Sequence, residues 1–231
     1  MKTLREIFWG LAKHADKWDP YFDVYETHFG RFRNRAPRIL EIGVQHGGSS
    51  QMWLDYFGKG AQVVGVDIDP RCVQHVQPDV EVVIGDQGSE SFWRAFFEDR
   101  RESFDIVIDD GSHYQQDMIL TFLLVAPHIR DGGVFLVEDT HTSYFSHHQI
   151  PPRAPDPDTG SYGKNSFMKF AKAGIDALNV GHIQDGSQLH PIILESYERV
   201  TSMHFYDSIV VYDIGTRKSF SRCLNDGQRM C

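Results

Sequence analysis

Cysteine is scarce: Cys72, Cys223 and Cys231 are three in 231 residues, an odd number with no metal-ligand spacing. That argues against a disulfide scaffold and a cysteine-bound zinc, and the expectation is free thiols in a reducing cytoplasm. Long apolar runs are missing as well. No stretch approaches the roughly 20 residues of a membrane helix, and MKTLREIFWGLAKHADKWDP at the N-terminus holds no apolar segment long enough for a secretory signal. Positive charge is outweighed: 23 Lys and Arg stand against 32 Asp and Glu, a formal net charge of −9. The basic residues are scattered, which argues against a nucleic-acid footprint and a polybasic membrane patch. There is no internal repeat and no low-complexity tail.

What is present is a change of character near residue 37. Residues 1–36 are aromatic-rich, with apolar positions at helical spacing in LREIFWGLAKHA and YFDVYETHFGRFR, and are expected to form an N-terminal helical cap. From Arg38 short Val- and Ile-rich runs follow one another: RILEIG, QVVGVDID, VEVVIGD, FDIVIDD and GVFLVED. Helical stretches lie between them: SSQMWLDYF, SESFWRAFFEDR and YQQDMILTFLLVAPHI. Strand alternating with helix implies a parallel sheet covered on both faces, with ligands bound beyond the carboxyl ends of its strands. RVTSMHFYDSIVVYDI closes the chain as an antiparallel hairpin added to that sheet. Residues 37–231 are thus expected to be one α/β domain. The Pro-, Ser-, His- and Tyr-rich stretch at about 141–165 reads as a lid.

Glycine is concentrated after the first strand, in EIGVQHGGSS. Gly43, Gly47 and Gly48 allow a sharp turn and a close approach of backbone to ligand, and a helix start follows. The spacing is not G-x-G-x-x-G, since position 45 is Gln, which disfavours a nicotinamide dehydrogenase. Asp67, ending the second strand, suits ribose hydroxyls, and Gly85-Asp86-Gln87, ending the third, offers a polar side chain to an adenine amine. Taken singly, Asp67 and Asp86 are also ordinary cap or turn residues; together with the glycine turn they point to an adenosine ligand.

These features in sequence resemble class I S-adenosylmethionine-dependent methyltransferases: E-x-G-x-x-x-G-x-S (Glu41, Gly43, Gly47, Ser49), an acid after strand two, Gly-Asp after strand three and D-D-G-S-H (Asp109 to His113) after strand four. The implied fold is Rossmann-like, a mostly parallel seven-stranded sheet with an antiparallel C-terminal hairpin and helices on both faces. DDGSH together with V-E-D at Val137 to Asp139 narrows the resemblance to metal-dependent sugar O-methyltransferases of the mycinamicin and macrocin type, and more loosely to cephalosporin-hydroxylase-like proteins. It runs from about Asp16-Lys17 to the final hairpin, and the lid matches little.

The resemblance implies Asp110, Glu138 and Asp139 as ligands of Mg²⁺ and His113 as general base, with Asp109 shaping the cofactor pocket. It also implies a sugar or glycoside substrate and, because related enzymes oligomerise, a homo-oligomer. The chemistry is consistent on its own terms. Three carboxylates at one sheet edge repel one another, and a hard divalent cation relieves that. Each acid pair read alone is a helix cap or a solvated strand end, and His113 alone a helix-capping histidine. His141, Tyr144, His147, His148 and Tyr162 flank or lie in the lid; His141 and Tyr144 are substrate-facing candidates, against the plainer reading of exposed loop residues. Trp18 and Tyr21 are candidates to line the cofactor or the lid, with packing of the cap the preferred reading. The alternatives are a hydroxylase-like enzyme and a non-catalytic adenosyl-ligand-binding protein on the same scaffold.

Overall fold

A computed structural model describes residues 1–98, 100, 103–148, 166–183, 189–218, 221, 222, 224, 225, 229 and 230. Strands β1 (Arg38–Ile42), β2 (Gln62–Asp67), β3 (Val80–Ile84), β4 (Phe104–Asp109), β5 (Ile129–Val137), β6 (Val200–Phe205) and β7 (Val210–Ile214) form one sheet in the order β3-β2-β1-β4-β5-β7-β6. β1 to β5 are parallel, and β7 runs antiparallel between β5 and β6. The expected seven-stranded architecture is therefore present, its closing hairpin turning at Tyr206, whose N–H donates to the Ile209 carbonyl at 2.8 Å. A further short pair joins β8 (Leu224–Asn225) to β9 (Arg229–Met230).

Side chains alternate strictly across the sheet. Leu40, Val64, Val107, Phe135 and Tyr212 face one apolar layer; their neighbours Ile39, Val63, Ile106, Val134 and Val211 face the other. The first layer is closed by α4 (Glu90–Glu98), α5 (Gln115–Val125) and α6 (Phe167–Leu178), with α7 (Pro191–Ser196) against α6. The second is closed by α1 (Leu4–Phe8), α2 (Tyr21–Phe29) and α3 (Gly48–Phe57). Burial on both faces is why the central strands read as continuous apolar runs.

The N-terminal segment is less helical than its periodicity suggests. A Thr3–Glu6 capping box starts α1, but the helix stops at Phe8, just before Trp9 and Gly10. Residues 9–20 then run as an irregular segment along the carboxyl edge of the sheet, which a continuous helix would have lifted away. Gly48 admits it: a Cβ there would lie 2.2 Å from the His14 carbonyl oxygen. Gly43, at φ +91°, similarly admits the loop after β4, since a Cβ would lie 2.0 Å from the Asp110 carbonyl oxygen. The glycine turn thus lets the chain's own backbone converge. The lid expected at about 141–165 falls mostly at 149–165, outside the described residues, with Tyr162; Cys223 and Cys231 are outside them too. Among the described residues Cys72 is a buried free thiol, and no helix is long and apolar enough to cross a membrane.

Gly43→Ala should destabilise the fold by at least ~1–3 kcal/mol, because a left-handed backbone and a blocked approach coincide there. Urea denaturation would show this as a lower midpoint with an unchanged slope.

Candidate active site

The sheet order reverses at β1, whose neighbours are β2 and β4, and a cleft of about 610 Å³ opens along the carboxyl edge there. The loops after all five parallel strands line it, together with residues 14–18 and Tyr21. Of the residues expected at a cofactor, Gly43, Ser49, Asp67, Asp86 and Gln87 line the cleft. α3 opens at Gly48 on its wall without a side-chain cap, an arrangement suited to a polar or anionic ligand group.

Other expected residues stand elsewhere. Glu41 is fully buried behind the turn, accepting from Trp53 Nε1 at 2.7 Å and from Ser50 Oγ. Gly47, at φ +69°, lies behind the cleft, where a Cβ would meet the His75 carbonyl oxygen at 2.7 Å. Asp109 is buried, with Oδ1 accepting from Gln87 Nε2 at 2.7 Å and Oδ2 without a partner among the described residues. Desolvation pushes its carboxyl up to about 7. Gln87 is also spent within the protein, because its Oε1 accepts from the Ser112 N–H at 2.8 Å and its Nε2 also reaches Thr121. Its amide therefore braces β3 to β4 instead of standing free for an adenine. Asp67 accepts from the N–H groups of Val44, Gln45 and Asp69 at 2.8–2.9 Å, so it fixes the glycine turn. Asp86 accepts from the Gly88 N–H at 2.8 Å.

The acidic strand ends do meet. Asp110, His113 and Asp139 each present a ligand atom within 4.8 Å of the other two. His113 Nε2 stands 3.8 Å from Asp110 Oδ1 and 3.5 Å from Asp139 Oδ2, too far for hydrogen bonds, so that nitrogen is open to another partner. Glu138 turns away from this trio. Its Oε1 accepts from Tyr25 OH at 2.7 Å and its Oε2 from Lys17 Nζ at 2.8 Å. Lys17 also donates to Asp110 Oδ2, and its side chain is 2% exposed. Tyr21 OH donates to Asp139 Oδ1 at 2.6 Å.

Lys17 and Tyr25 are the residues that sequence reasoning missed as site components, with packing the preferred reading for Tyr21. Lys17 lies 93 and 121 positions from its partners, so no local pattern announces it. Tyr21 and Tyr25 carried a signal, two polar-tipped aromatics four apart on one helix face. Trp18, expected to pack, is 61% exposed at the cleft rim, edge-on to His141 at 6.4 Å. His141 lines the cleft and its Nδ1 is paired with Ser208 Oγ; Tyr144 is outside the lining and partly exposed.

Two electrostatic facts follow. Lys17 is held protonated above its ordinary value by the two carboxylates, against its own desolvation. One ammonium cannot neutralise two carboxylates, so burial and the Asp110 charge leave Glu138 above its ordinary value. The backbone is also strained here. Gln45, His113, Asp139 and Ser208 all have positive φ, from 49° to 66°, and such conformations in non-glycine residues gather at functional sites.

Lys17→Met should cost about 3–5 kcal/mol at neutral pH, the usual penalty for stripping a buried carboxylate of its partner. The sign with pH follows from Glu138. Native Glu138 is already pushed up to about 8 by burial and Asp110, and losing Lys17 raises it further, so the variant's extra deficit should grow as pH rises above about 8, where only native Glu138 can ionise, and shrink on acidification. Urea denaturation across pH with chelator present would measure it.

Residues 40–140 match a family described as a methyltransferase domain. The chain is 36% identical over 87% of its length to 8-demethyl-8-alpha-L-rhamnosyl tetracenomycin-C 2'-O-methyltransferase of Streptomyces olivaceus, covering 52% of that protein. It is 31% identical over 83% of its length to demethylmacrocin O-methyltransferase of Streptomyces fradiae, covering 47%. It superposes with a TM-score of 0.76, at 27% identity, on MycE methyltransferase from the mycinamycin biosynthetic pathway, solved in complex with Mg, SAH and mycinamycin VI, over 93% of this chain and 54% of that one. The chain thus spans about half the length of the relatives it matches. With a methyltransferase domain matched across its central strands and that neighbour's fold over nearly all of its length, the chain resembles the macrolide-type sugar O-methyltransferases.

Proposed function

We propose that the chain is an S-adenosylmethionine-dependent, Mg²⁺-assisted O-methyltransferase acting on a hydroxyl of a sugar or glycosylated natural product. The observation that carries this is the meeting of Asp110, His113 and Asp139 at one end of a cleft that runs on to the glycine turn. The donor set fits a divalent cation by charge. With all three carboxylates ionised, Asp110, Glu138 and Asp139 against Lys17 leave two negative charges, which one divalent ion balances. Hard Mg²⁺ takes the carboxylate oxygens of Asp110 and Asp139 in preference to an imidazole, which leaves His113 free as a base. The cleft's size suits a nucleoside-sized ligand, and its acidic lining suits a sulfonium.

When bound, the cation would lower the pKa of the sugar hydroxyl, and the sulfonium would give its methyl group to that oxygen, the S–CH₃ bond breaking as the O–CH₃ bond forms and S-adenosylhomocysteine leaving as a neutral thioether. The chain's own residues do the rest. His113 Nε2 takes the hydroxyl proton. Tyr21 and Tyr25 hold the Asp139 and Glu138 carboxylates in place, and Lys17 keeps Asp110 and Glu138 from repelling each other. Trp18 offers an exposed aromatic face at the rim on which a sugar ring can stack. Holding acceptor and methyl group in line accounts for much of the rate.

S-Adenosylmethionine and S-adenosylhomocysteine, but not NAD, should raise the thermal midpoint. Mg²⁺ should add an increment that is lost in Asp110→Ala; no response to either adenosyl ligand would overturn the reading. With a glycoside acceptor, His113→Ala should lower kcat by ~10²–10⁴-fold while S-adenosylhomocysteine binding stays near native.

A further inference from the structure

We propose that His28, His204 and Asp213 form a second metal site, for a first-row transition cation of the Zn²⁺ class, that clamps α2 to the β6–β7 edge of the sheet. Each of the three presents one ligand atom within 4.8 Å of the other two. His28 comes from α2 and is buried, while His204 and Asp213 lie on β6 and β7 and are partly exposed. The His28 and His204 rings stand 4.6 Å apart, and His204 Nε2 is 3.0 Å from Asp213 Oδ2.

The ligand chemistry differs from that of the cleft. Two imidazoles and one carboxylate suit Zn²⁺, Co²⁺ or Ni²⁺, whereas Mg²⁺ asks for oxygen ligands. Tetrahedral ligands ~2.1 Å from one ion stand ~3.4 Å apart, so closing the site from separations within 4.8 Å takes a shift of up to ~1.4 Å at His204, on an edge strand. The surrounding contacts are those that orient metal ligands. Arg31 holds Asp213 Oδ1 at 2.8 Å, Ser202 Oγ donates to Oδ2 at 2.5 Å and stands 3.2 Å from His204 Nε2, and Tyr206 OH is 2.9 Å from His28 Nε2.

The position has a consequence for the cleft. Tyr21, Tyr25 and His28 lie at i, i+4 and i+7 on α2, so one helix face carries all three. The clamp would sit ~10 Å along the axis from Tyr21, at 1.5 Å per residue, and would fix the register of the helix that holds Asp139 and Glu138. The site involves no residue of the proposed methyl-transfer chemistry and stands whether or not that reading holds.

The test is a Co²⁺ titration of chelator-treated full chain with millimolar Mg²⁺ present, followed by visible ligand-field absorption. Native protein and Asp110→Asn should each bind one equivalent, displaced by Zn²⁺. His204→Ala should bind at least ~10–100-fold more weakly, with circular dichroism confirming its fold. His204→Cys should keep the ion and add a thiolate-to-cobalt band in the near ultraviolet. Absence of bands in native protein, their survival in His204→Ala, or their loss in Asp110→Asn would overturn the proposal.

Discussion

Three carboxylates brought to one sheet edge must be kept from driving the strands apart, and the ammonium of Lys17 is what this chain supplies. It reaches Asp110 after β4 and Glu138 after β5 from an irregular segment that precedes the first strand. An ammonium buried among carboxylates ties that segment to two loops at once, because leaving any of the three unpaired in a dry interior is expensive. The close passes at Gly43 and Gly48 belong to the same arrangement, since they let the loop after β4 and the segment at His14 approach the first crossover. Asp67 then pins the turn through the backbone amides of Val44 and Gln45.

The tyrosines of α2 complete the cluster from the other side. Their phenols bond Asp139 and Glu138 and stay protonated, because burial and the adjacent carboxylates raise both well above their ordinary value. Lysine and phenols together orient three acids without neutralising all of them. The excess of two charges left when all three are ionised is the electrostatic basis of the proposed Mg²⁺ role, and the positive φ of His113 and Asp139 shows that the backbone accepts strain to aim these side chains.

Much of the fold was legible along the chain. The runs RILEIG, QVVGVDID, VEVVIGD, FDIVIDD and GVFLVED fall on β1 to β5, with β5 beginning earlier at Ile129, and SSQMWLDYF, SESFWRAFFEDR and YQQDMILTFLLVAPHI fall on α3, α4 and α5. They were readable because burial on both sheet faces and a one-sided helix leave periodic signatures. The convergence of Asp110, His113 and Asp139 was legible too, since parallel strands deliver their carboxyl ends to one edge. Glu41 and Gln87 were harder. Both sit in motif positions beside the cleft, yet their polar atoms turn to Ser50 and Trp53 in one case and to Asp109 and Ser112 in the other. Position along a strand says which loop a residue serves and does not say which partner saturates its hydrogen bonds.

By itself, the sequence determined the order of strands and helices, the alternation of layers and the loops that carry acids, because these depend on local periodicity and turn chemistry. Only the tertiary structure decided that Lys17 stands between Asp110 and Glu138, that Glu138 turns from the trio formed by Asp110, His113 and Asp139, and that Trp18 is left exposed at the rim. Those outcomes depend on contacts between segments up to 121 positions apart. There the balance of desolvation against charge pairing is settled by three-dimensional neighbours, and no periodicity records it.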